Sequence, residues 1–285
     1  MTKKGGGVLL ISELLKQASI KLENISDSPT LDAELLLAHC LDKNRTYLHT
    51  WPDTSITESQ KSTFNSLIEK RLTDYPIAYL LGTKAFWTLD LRVTPDVLVP
   101  RPETELLVEI ALEKIKMIDN PKILDLGTGS GVIALALASE RPDAKIIACD
   151  YSEKALLVAK KNAIDNKLDH QVTYIQSDWY SNIVGTDFDL IVSNPPYIAP
   201  DDPHLLQTIR HEPQHALVAE NKGMQSIEII IKNSKKHLRN GAWLMVEHGH
   251  DQSKNTLELF TYYGFEHAVN YLDVAKNPRL SIAKS

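Results

Sequence analysis

The strongest constraint on the fold is an alternation of short apolar runs and helical patterns that begins at Pro121. Its first unit is an apolar run at 123–126, a glycine-rich loop at 127–131 and a helical pattern at 132–140. Short apolar runs between helical segments are typical of buried parallel strands. The alternation therefore predicts an α/β fold with a doubly wound, mostly parallel sheet.

Seven strand-like runs follow this alternation. The predicted strands are 123–126, 146–150, 172–175, 188–193, 243–246, 267–274 and 279–283. The last two runs are joined without a helix, so we expect them to pair antiparallel and to form one antiparallel edge of a seven-stranded sheet.

The chain before this sheet has a different pattern. Helical periodicity at 9–23, the pair Ser28-Pro29 and the capping-box pattern Thr57-x-x-Gln60 predict a small N-terminal helical bundle over 1–74. This domain is either purely structural or docks a partner, and we favour docking.

A hairpin linker is predicted over 75–99. It contains two strand-like runs, 78–81 and 86–93, separated by Gly82. The α/β domain then covers 100–285.

Charge and composition limit the classes of function. The net charge of −6 gives no sign of a basic domain for nucleic acid. Cys40 and Cys149 lie in apolar surroundings, which favours free thiols in a reducing cytoplasm. No apolar run reaches the length of a membrane span. The basic, glycine-rich start at 1–7 lacks a signal-peptide core, and we expect it to be a frayed end.

The loop at 127–131 has the pattern G-x-G-x-G between a strand and a helix. It lacks the third glycine of a dinucleotide fingerprint and the G-K-[ST] of a P-loop, so a nucleoside without pyrophosphate fits best. Asp150 ends the next strand, where a carboxylate can accept both ribose hydroxyls. The alternative for Asp150 is a polar residue at a strand end. Trp179 either packs on an adenine ring or is an amphipathic aromatic at the edge of the core.

The fourth strand ends in Asn194-Pro195-Pro196-Tyr197. Two prolines remove two backbone donors, so the chain must leave the sheet there. An Asn amide beside unpaired carbonyls is well suited to binding a planar NH2 group through hydrogen bonds. The alternative is an ordinary strand stop.

Two other segments carry weaker signals. Glu247-His248-Gly249-His250 offers two histidines without a third ligand nearby, so no metal site is expected. The proline-containing segment 198–222 is long for a plain connection, and it is either a cover on the substrate side or an inert loop. Within it, Arg210, His211 and Glu212 are expected to be solvated or structural.

Three stretches together resemble the class I S-adenosylmethionine-dependent methyltransferases, which are Rossmann-like. More closely, they resemble the protein-glutamine N5-methyltransferases of peptide-chain release factors, the PrmC/HemK family. These stretches are Leu-Val-Pro-Arg-Pro-Glu-Thr-Glu at 98–105, Asp-Leu-Gly-Thr-Gly-Ser-Gly at 125–131 and Val-Ser-Asn-Pro-Pro-Tyr-Ile at 192–198. The order of helical domain, hairpin and catalytic domain also matches that family.

The resemblance implies methyl transfer from S-adenosylmethionine to the side-chain amide nitrogen of the glutamine in the Gly-Gly-Gln motif of class I release factors. S-adenosylhomocysteine is the implied product. The implied cofactor-binding residues are Gly127, Thr128, Gly129, Ser130, Gly131, Asp150, Trp179 and Asn194. The implied substrate-binding residues are Asn194, Pro195, Pro196 and Tyr197, of which Asn194, Pro195 and Tyr197 are expected to be catalytic.

The chemistry of an amide agrees with those roles. The Asn194 side-chain oxygen and the Pro195 backbone oxygen can accept the two N–H bonds of the glutamine amide, and Tyr197 can stack on its flat face. No general base is required before attack.

Two alternatives remain open. One is a DNA adenine-N6 or RNA guanine-N2 methyltransferase with the same tetrapeptide, although the expected basic domain is missing. The other is a non-enzymatic nucleoside-binding or translation-associated scaffold, against which the complete loop, Asp150 and tetrapeptide argue. The expected partners are class I release factors, with neither membrane nor direct nucleic-acid binding.

Overall fold

The computed structural model describes residues 10–206 and 208–285, so the expectation for 1–7 lies outside the described residues. The chain divides into two units. One unit takes in the described residues of Met1–Gly82 and Leu206–His211, and the other comprises Thr83–Leu205 and Glu212–Ser285. The domain limits 1–74, 75–99 and 100–285 remain sequence predictions.

The first unit is helical. Its helices are α1 (Ile11–Leu22), α2 (Pro29–Leu41), α3 (Arg45–Thr50), α4 (Glu58–Leu72) and α5 (Ile77–Leu81). Their apolar faces meet in one core, in which Leu22, Leu36 and Phe64 are almost completely buried. Burial of this apolar surface holds the short helices together, since isolated helices of this length are marginal in water.

Local sequence signals set several of these helix ends. The predicted capping box is present: the Thr57 hydroxyl accepts the Gln60 N–H across 3.2 Å, and the Gln60 side chain accepts the Thr57 N–H across 2.9 Å. Pro29 begins α2 as predicted, although Ser28 makes no side-chain cap. The short α3, which the periodicity did not indicate, begins where the Asn44 side chain accepts the Tyr47 N–H.

The strand expected at 78–81 is wrong, because these residues belong to α5. Leu80 of this helix packs into the helical core, so tertiary burial overrides the strand propensity of the run. Gly82 ends α5 with a φ of 74°. The hairpin itself consists of β1 (Thr83–Phe86) and β2 (Leu89–Arg92), which pair antiparallel.

The second unit is built on a large sheet. Its strands are β3 (Lys122–Leu126), β4 (Lys145–Asp150), β5 (Val172–Gln176), β6 (Phe188–Ser193), β7 (Leu238–Glu247), β8 (Glu266–Leu272) and β9 (Pro278–Lys284). Within the described residues the sheet has seven strands in the order β5-β4-β3-β6-β7-β9-β8. The predicted doubly wound, mostly parallel α/β fold is confirmed.

The last two strands pair antiparallel and form one edge of the sheet, as expected, with β8 outermost and β9 one position inside it. β9 pairs antiparallel with β7 on one side and with β8 on the other. Two of its residues, Leu280 and Ile282, are buried in the core, and that burial favours an interior position. β7 also begins at Leu238, five residues before the apolar run at 243–246.

Helices cover both faces of this sheet. They are α6 (Glu105–Ile115), which follows a 3₁₀ turn at Pro102–Thr104, α7 (Val132–Glu140), α8 (Glu153–Asp165), α9 (Gln225–Ser234) and α10 (Ser253–Tyr262). Residues of α6 and α7 contribute to one apolar layer, and residues of α9 and α10 contribute to a second. Among the described residues, no helix combines the length and apolar composition that crossing a bilayer requires.

The topology places the carboxyl ends of three strands together. β3 pairs with β4 on one side and with β6 on the other, and all three run parallel. Ligands of open α/β sheets bind at such a switch point, outside the carboxyl ends of the strands. The glycine loop, Asp150 and the tetrapeptide follow these three strand ends.

Candidate active site

A cavity of about 310 Å³ lies at these strand ends. Of the sequence-predicted residues, those that line it are Gly127, Thr128, Gly129, Ser130, Asp150, Trp179, Asn194 and Pro196. Gly131, Pro195 and Tyr197 do not belong to the lining. The fold thus brings most of the predicted cofactor residues and part of the tetrapeptide to one cavity, while the roles of these residues remain predictions.

The glycine loop turns sharply between β3 and α7. Gly127, Gly129 and Gly131 have φ values of 71°, 54° and 84°, which residues with a Cβ rarely adopt. A Cβ on Gly131 would lie 3.1 Å from Leu135 Cδ1 and 3.2 Å from Ala159 Cβ. Gly131 is therefore required for helix packing, whereas a Cβ on Gly129 would meet no atom within 4 Å.

Asp125 holds the glycine loop in place through hydrogen bonds to its carboxylate. Its Oδ2 accepts the Thr128 hydroxyl across 2.6 Å and the Ala134 N–H across 3.3 Å. The carboxyl is completely buried, and desolvation raises its pKa to about 7, with the charge of Asp150 acting in the same direction. Asp125 therefore fixes the loop without lining the cavity.

Asp150 ties the end of β4 to the loop. Its two carboxylate oxygens accept the N–H groups of Gly129, across 2.8 Å, and Ser152, across 2.9 Å. Burial raises the pKa of this carboxyl above its ordinary value, although the two backbone donors oppose the increase. The carboxylate lines the cavity and retains lone pairs for further donors.

The sequence left two positions open for Trp179, one at the ligand site and one at the edge of the core, and the structure shows both. Its ring lines the cavity, and it also packs against the apolar layer on the α9 side of the sheet. A Cβ on Gly127 would lie 3.7 Å from Trp179 Cζ3. The ring is thus a flat wall beside the glycine loop.

The tetrapeptide leaves the sheet after β6, where the Ser193 hydroxyl donates to the Leu126 carbonyl across 2.8 Å. Asn194 Nδ2 donates to the Thr104 hydroxyl oxygen across 3.1 Å. Tyr197 directs its phenol to buried Glu247, with 3.5 Å between Tyr197 Oη and Glu247 Oε1. The two ends of the tetrapeptide are therefore held by different buried polar groups.

The sequence did not single out Thr104, Arg101 or His215, although all three line the cavity. Arg101 Nη2 donates to Glu212 across 2.5 Å, and Glu212 also accepts the Val99 N–H across 2.9 Å. Glu212 is buried, so this segment is fastened to the cavity wall by a charged hydrogen bond. The motif at 98–105 was the available signal for Arg101 and Thr104.

The motif at 247–250 was not expected to bind a metal, and the described parts of the chain contain no group of three His, Cys, Asp or Glu side chains placed to hold one. His248 is buried, with 2.8 Å between its Nε2 and the Ser281 hydroxyl and 2.8 Å between its Nδ1 and the Gly249 carbonyl. Burial lowers the pKa of this imidazole. His248 is thus a neutral, hydrogen-bonded core residue.

Two known domains match the chain along its length. The PrmC N-terminal domain matches residues 13–82, and the methyltransferase small domain matches residues 102–266. A methyltransferase from Pyrococcus furiosus shares the fold with a TM-score of 0.52 and 18% identity, covering 70% of this chain and 91% of that one. Fold and domain match together define a methyltransferase.

Full-length relatives narrow the class further. The release factor glutamine methyltransferase of Aliivibrio fischeri is 45% identical over 97% of this chain and 98% of its own length. The release factor glutamine methyltransferase of Escherichia coli is 42% identical over 95% and 97%, respectively. The chain belongs to the release factor glutamine methyltransferase family, and the resemblance noted in the sequence is confirmed.

Proposed function

We propose that this protein transfers a methyl group from S-adenosylmethionine to the side-chain amide nitrogen of the glutamine in the Gly-Gly-Gln motif of class I release factors. One observation carries the proposal. The similarity to relatives named for this reaction extends over nearly the whole chain, so it includes the N-terminal helices as well as the α/β domain.

The cavity has the chemical groups that a nucleoside cofactor needs. Backbone turns at Gly127 and Gly129 leave room for close approach, Asp150 offers a carboxylate for the ribose hydroxyls, and Trp179 offers a flat apolar wall. When bound, S-adenosylmethionine supplies an electrophilic methyl group on a sulfonium. Thr128, Ser130 and Gly131 belong to the same loop and are proposed to bind the cofactor with it. S-adenosylhomocysteine is the product of the transfer.

Asn194 is assigned the orientation of the substrate amide. A glutamine amide nitrogen is a poor nucleophile because its lone pair is delocalised into the carbonyl. Since Asn194 Nδ2 is engaged by Thr104, its side-chain oxygen is available to accept one substrate N–H, and the Pro195 carbonyl is assigned the other. Pro196 and Tyr197 are proposed to flank the flat amide. Fixed acceptors stabilise positive charge as it develops on the nitrogen.

The helical unit is assigned to docking of the release factor. The net charge of the chain is −6, which gives no sign of a basic domain for phosphate contacts with nucleic acid. We therefore propose a protein substrate without direct nucleic-acid contact, acting in the cytoplasm.

Methyl transfer from labelled cofactor tests the function directly. The protein is incubated with S-adenosylmethionine carrying a labelled methyl group and with a class I release factor, double-stranded DNA or RNA in parallel. We expect label on the release factor alone, on the glutamine of Gly-Gly-Gln when the peptides are mapped, and none when that glutamine is replaced by alanine. Label on adenine or guanine would instead establish the nucleic-acid alternative, and absence of label from every acceptor would contradict an enzymatic role.

A further inference from the structure

We infer that Glu247 is a positioning residue for the substrate amide: it sets the direction in which the Asn194 side chain presents its hydrogen-bonding groups, through the hydroxyl of Thr104. The inference deepens the proposed amide methylation and rests on it. Glu247 ends β7, Thr104 lies in the 3₁₀ turn before α6, and Asn194 follows β6.

The three groups form one chain, in which Asn194 is half-buried and the other two are buried. Asn194 Nδ2 donates to Thr104 Oγ1 across 3.1 Å, and the Thr104 hydroxyl in turn interacts with the Glu247 carboxylate. Thr104 and Glu247 are each only 1% exposed, so bulk water does not supply alternative partners for them. Tyr197, at the other end of the tetrapeptide, directs its phenol to the same carboxylate.

Hydrogen-bond polarity makes this chain directional. A hydroxyl has one proton to donate, and an ionised carboxylate can only accept. When Thr104 donates its proton to Glu247, its oxygen must accept from Asn194, which turns Nδ2 toward Thr104. The Asn194 oxygen then points away from Thr104, free to accept an N–H of the substrate.

The surroundings of Glu247 bring the pKa of its carboxyl close to neutral pH. Complete desolvation raises the pKa of this carboxyl to about 7, and the nearby charge of Glu103 acts in the same direction. The positive charge of Arg279 and the hydroxyls of Thr104 and Tyr197 oppose that increase. Glu247 Oε2 has no hydrogen-bond partner among the described residues, so ionisation is incompletely compensated.

A buried carboxylate with an unpaired oxygen is a poor choice for stability alone, because apolar residues of similar volume are often neutral or stabilising at such positions. An acceptor-only group at this position makes the Thr104 hydroxyl donate toward Glu247 and accept from Asn194, and this role explains why a carboxylate lies there.

The test uses three variants in the full-length protein. Glu247→Gln replaces an acceptor-only group with one that can also donate to Thr104, so the Asn194 amide can reverse. Thr104→Val removes the hydroxyl with little change in shape, and Thr104→Ser retains it. The matched control is Asp189→Asn, a buried carboxylate at the other end of β6 that accepts the Lys122 N–H across 2.7 Å.

We expect Glu247→Gln and Thr104→Val each to lower kcat on release factor about 10- to 100-fold, as small misplacements of reacting groups do. The Kd for S-adenosylmethionine should change less than about threefold, and Thr104→Ser should keep most of the wild-type kcat. A double variant that combines Glu247→Gln with Thr104→Val should lose no more activity than either single variant. The control should keep kcat per folded molecule. The wild-type kcat should rise with pH through about 7 because only ionised Glu247 sets the direction, and this rise should disappear in Glu247→Gln.

A second readout does not depend on activity. The side-chain NH2 resonances of Asn194 in the free protein should shift with pH near the Glu247 pKa in the wild type and stay constant in Glu247→Gln. A Glu247→Gln protein with wild-type kcat, or pH-independent Asn194 resonances in the wild type, would overturn the positioning role while methylation by the wild type still stood. An inactive wild type would overturn the proposed function and this inference together, even if the resonances titrated.

Discussion

The carboxylate of Asp150 accepts the backbone N–H of Gly129 across 2.8 Å. This contact joins the end of β4 to the middle of the loop that follows β3. The same carboxylate is exposed to the cavity, so Asp150 both shapes the loop and presents negative charge beside it. Loss of the carboxylate should therefore affect ligand affinity more than the fold.

Asp150→Ala should weaken binding of S-adenosylmethionine about 10- to 150-fold. That range corresponds to about 1.5–3 kcal/mol, the usual contribution of a hydrogen bond to a charged group. Calorimetric titration of the free protein measures it, with Asp165→Asn on the outer face of α8 as a control carboxylate. An unchanged Kd in Asp150→Ala would contradict the assignment of Asp150 to the cofactor.

Alanine should cost more stability at Gly131 than at Gly129, and more cofactor affinity at Gly129 than at Gly131. Both residues have positive φ, which costs an alanine about 1–2 kcal/mol. Gly131→Ala should destabilise the protein by about 1–3 kcal/mol more than Gly129→Ala, because only its Cβ meets Leu135 and Ala159 closely. Gly129→Ala should mainly reduce cofactor affinity, since its methyl group enters the cavity lining. Urea unfolding and calorimetry of the two variants separate these effects, and equal losses of stability would contradict the packing argument.

Asn194→Ala should lower kcat about 10²- to 10³-fold while changing cofactor affinity much less, because one fixed polar partner of the reacting amide is lost. Asn194→Asp keeps an acceptor and should lose less activity than alanine. Rates, melting temperatures and cofactor Kd values are to be measured for both variants. If stability and cofactor affinity fall together at constant kcat per folded molecule, Asn194 only ends the strand.

Asp125 should make the stability of the protein depend on pH. Its pKa is raised from 3.8 to about 7 by burial, so between these values the folded protein holds a proton that the unfolded chain releases. The contribution of this group to the free energy of unfolding therefore falls as pH rises from about 4 to about 7. Asp125→Asn lacks that dependence, and its stability relative to the wild type should improve between about pH 5 and pH 8. Urea unfolding at both pH values tests this, and a constant difference would contradict the raised pKa.

Local signals were sufficient for much of the fold. The apolar run at 188–193 is β6 with the predicted limits, and the capping box at Thr57 begins α4. These features depend on neighbours in the chain, such as two prolines that end a strand or a hydroxyl three residues from the N–H it caps. The glycine loop and Asp150 also follow strand ends in the sequence, so parallel topology alone brings them to one edge.

Long-range packing decided the remainder. Residues 78–81 have the composition of a strand but form a helix, because Leu80 fills the helical core. The last strand in the chain, β9, lies between β7 and β8, and no period within the chain specifies that order. The type of a short apolar element and the order of strands in a sheet both depend on which side chains from distant segments become buried together.

The sequence by itself determined the α/β alternation, the glycine loop, the end of β6 and the family. Only the tertiary structure decided which distant polar groups meet at Asn194. Thr104 and Glu247 are far apart in the chain, and neither carries a local signal for its partner. They meet because the sheet aligns the ends of β6 and β7 and α6 packs over them, and once buried their polar atoms must find one another.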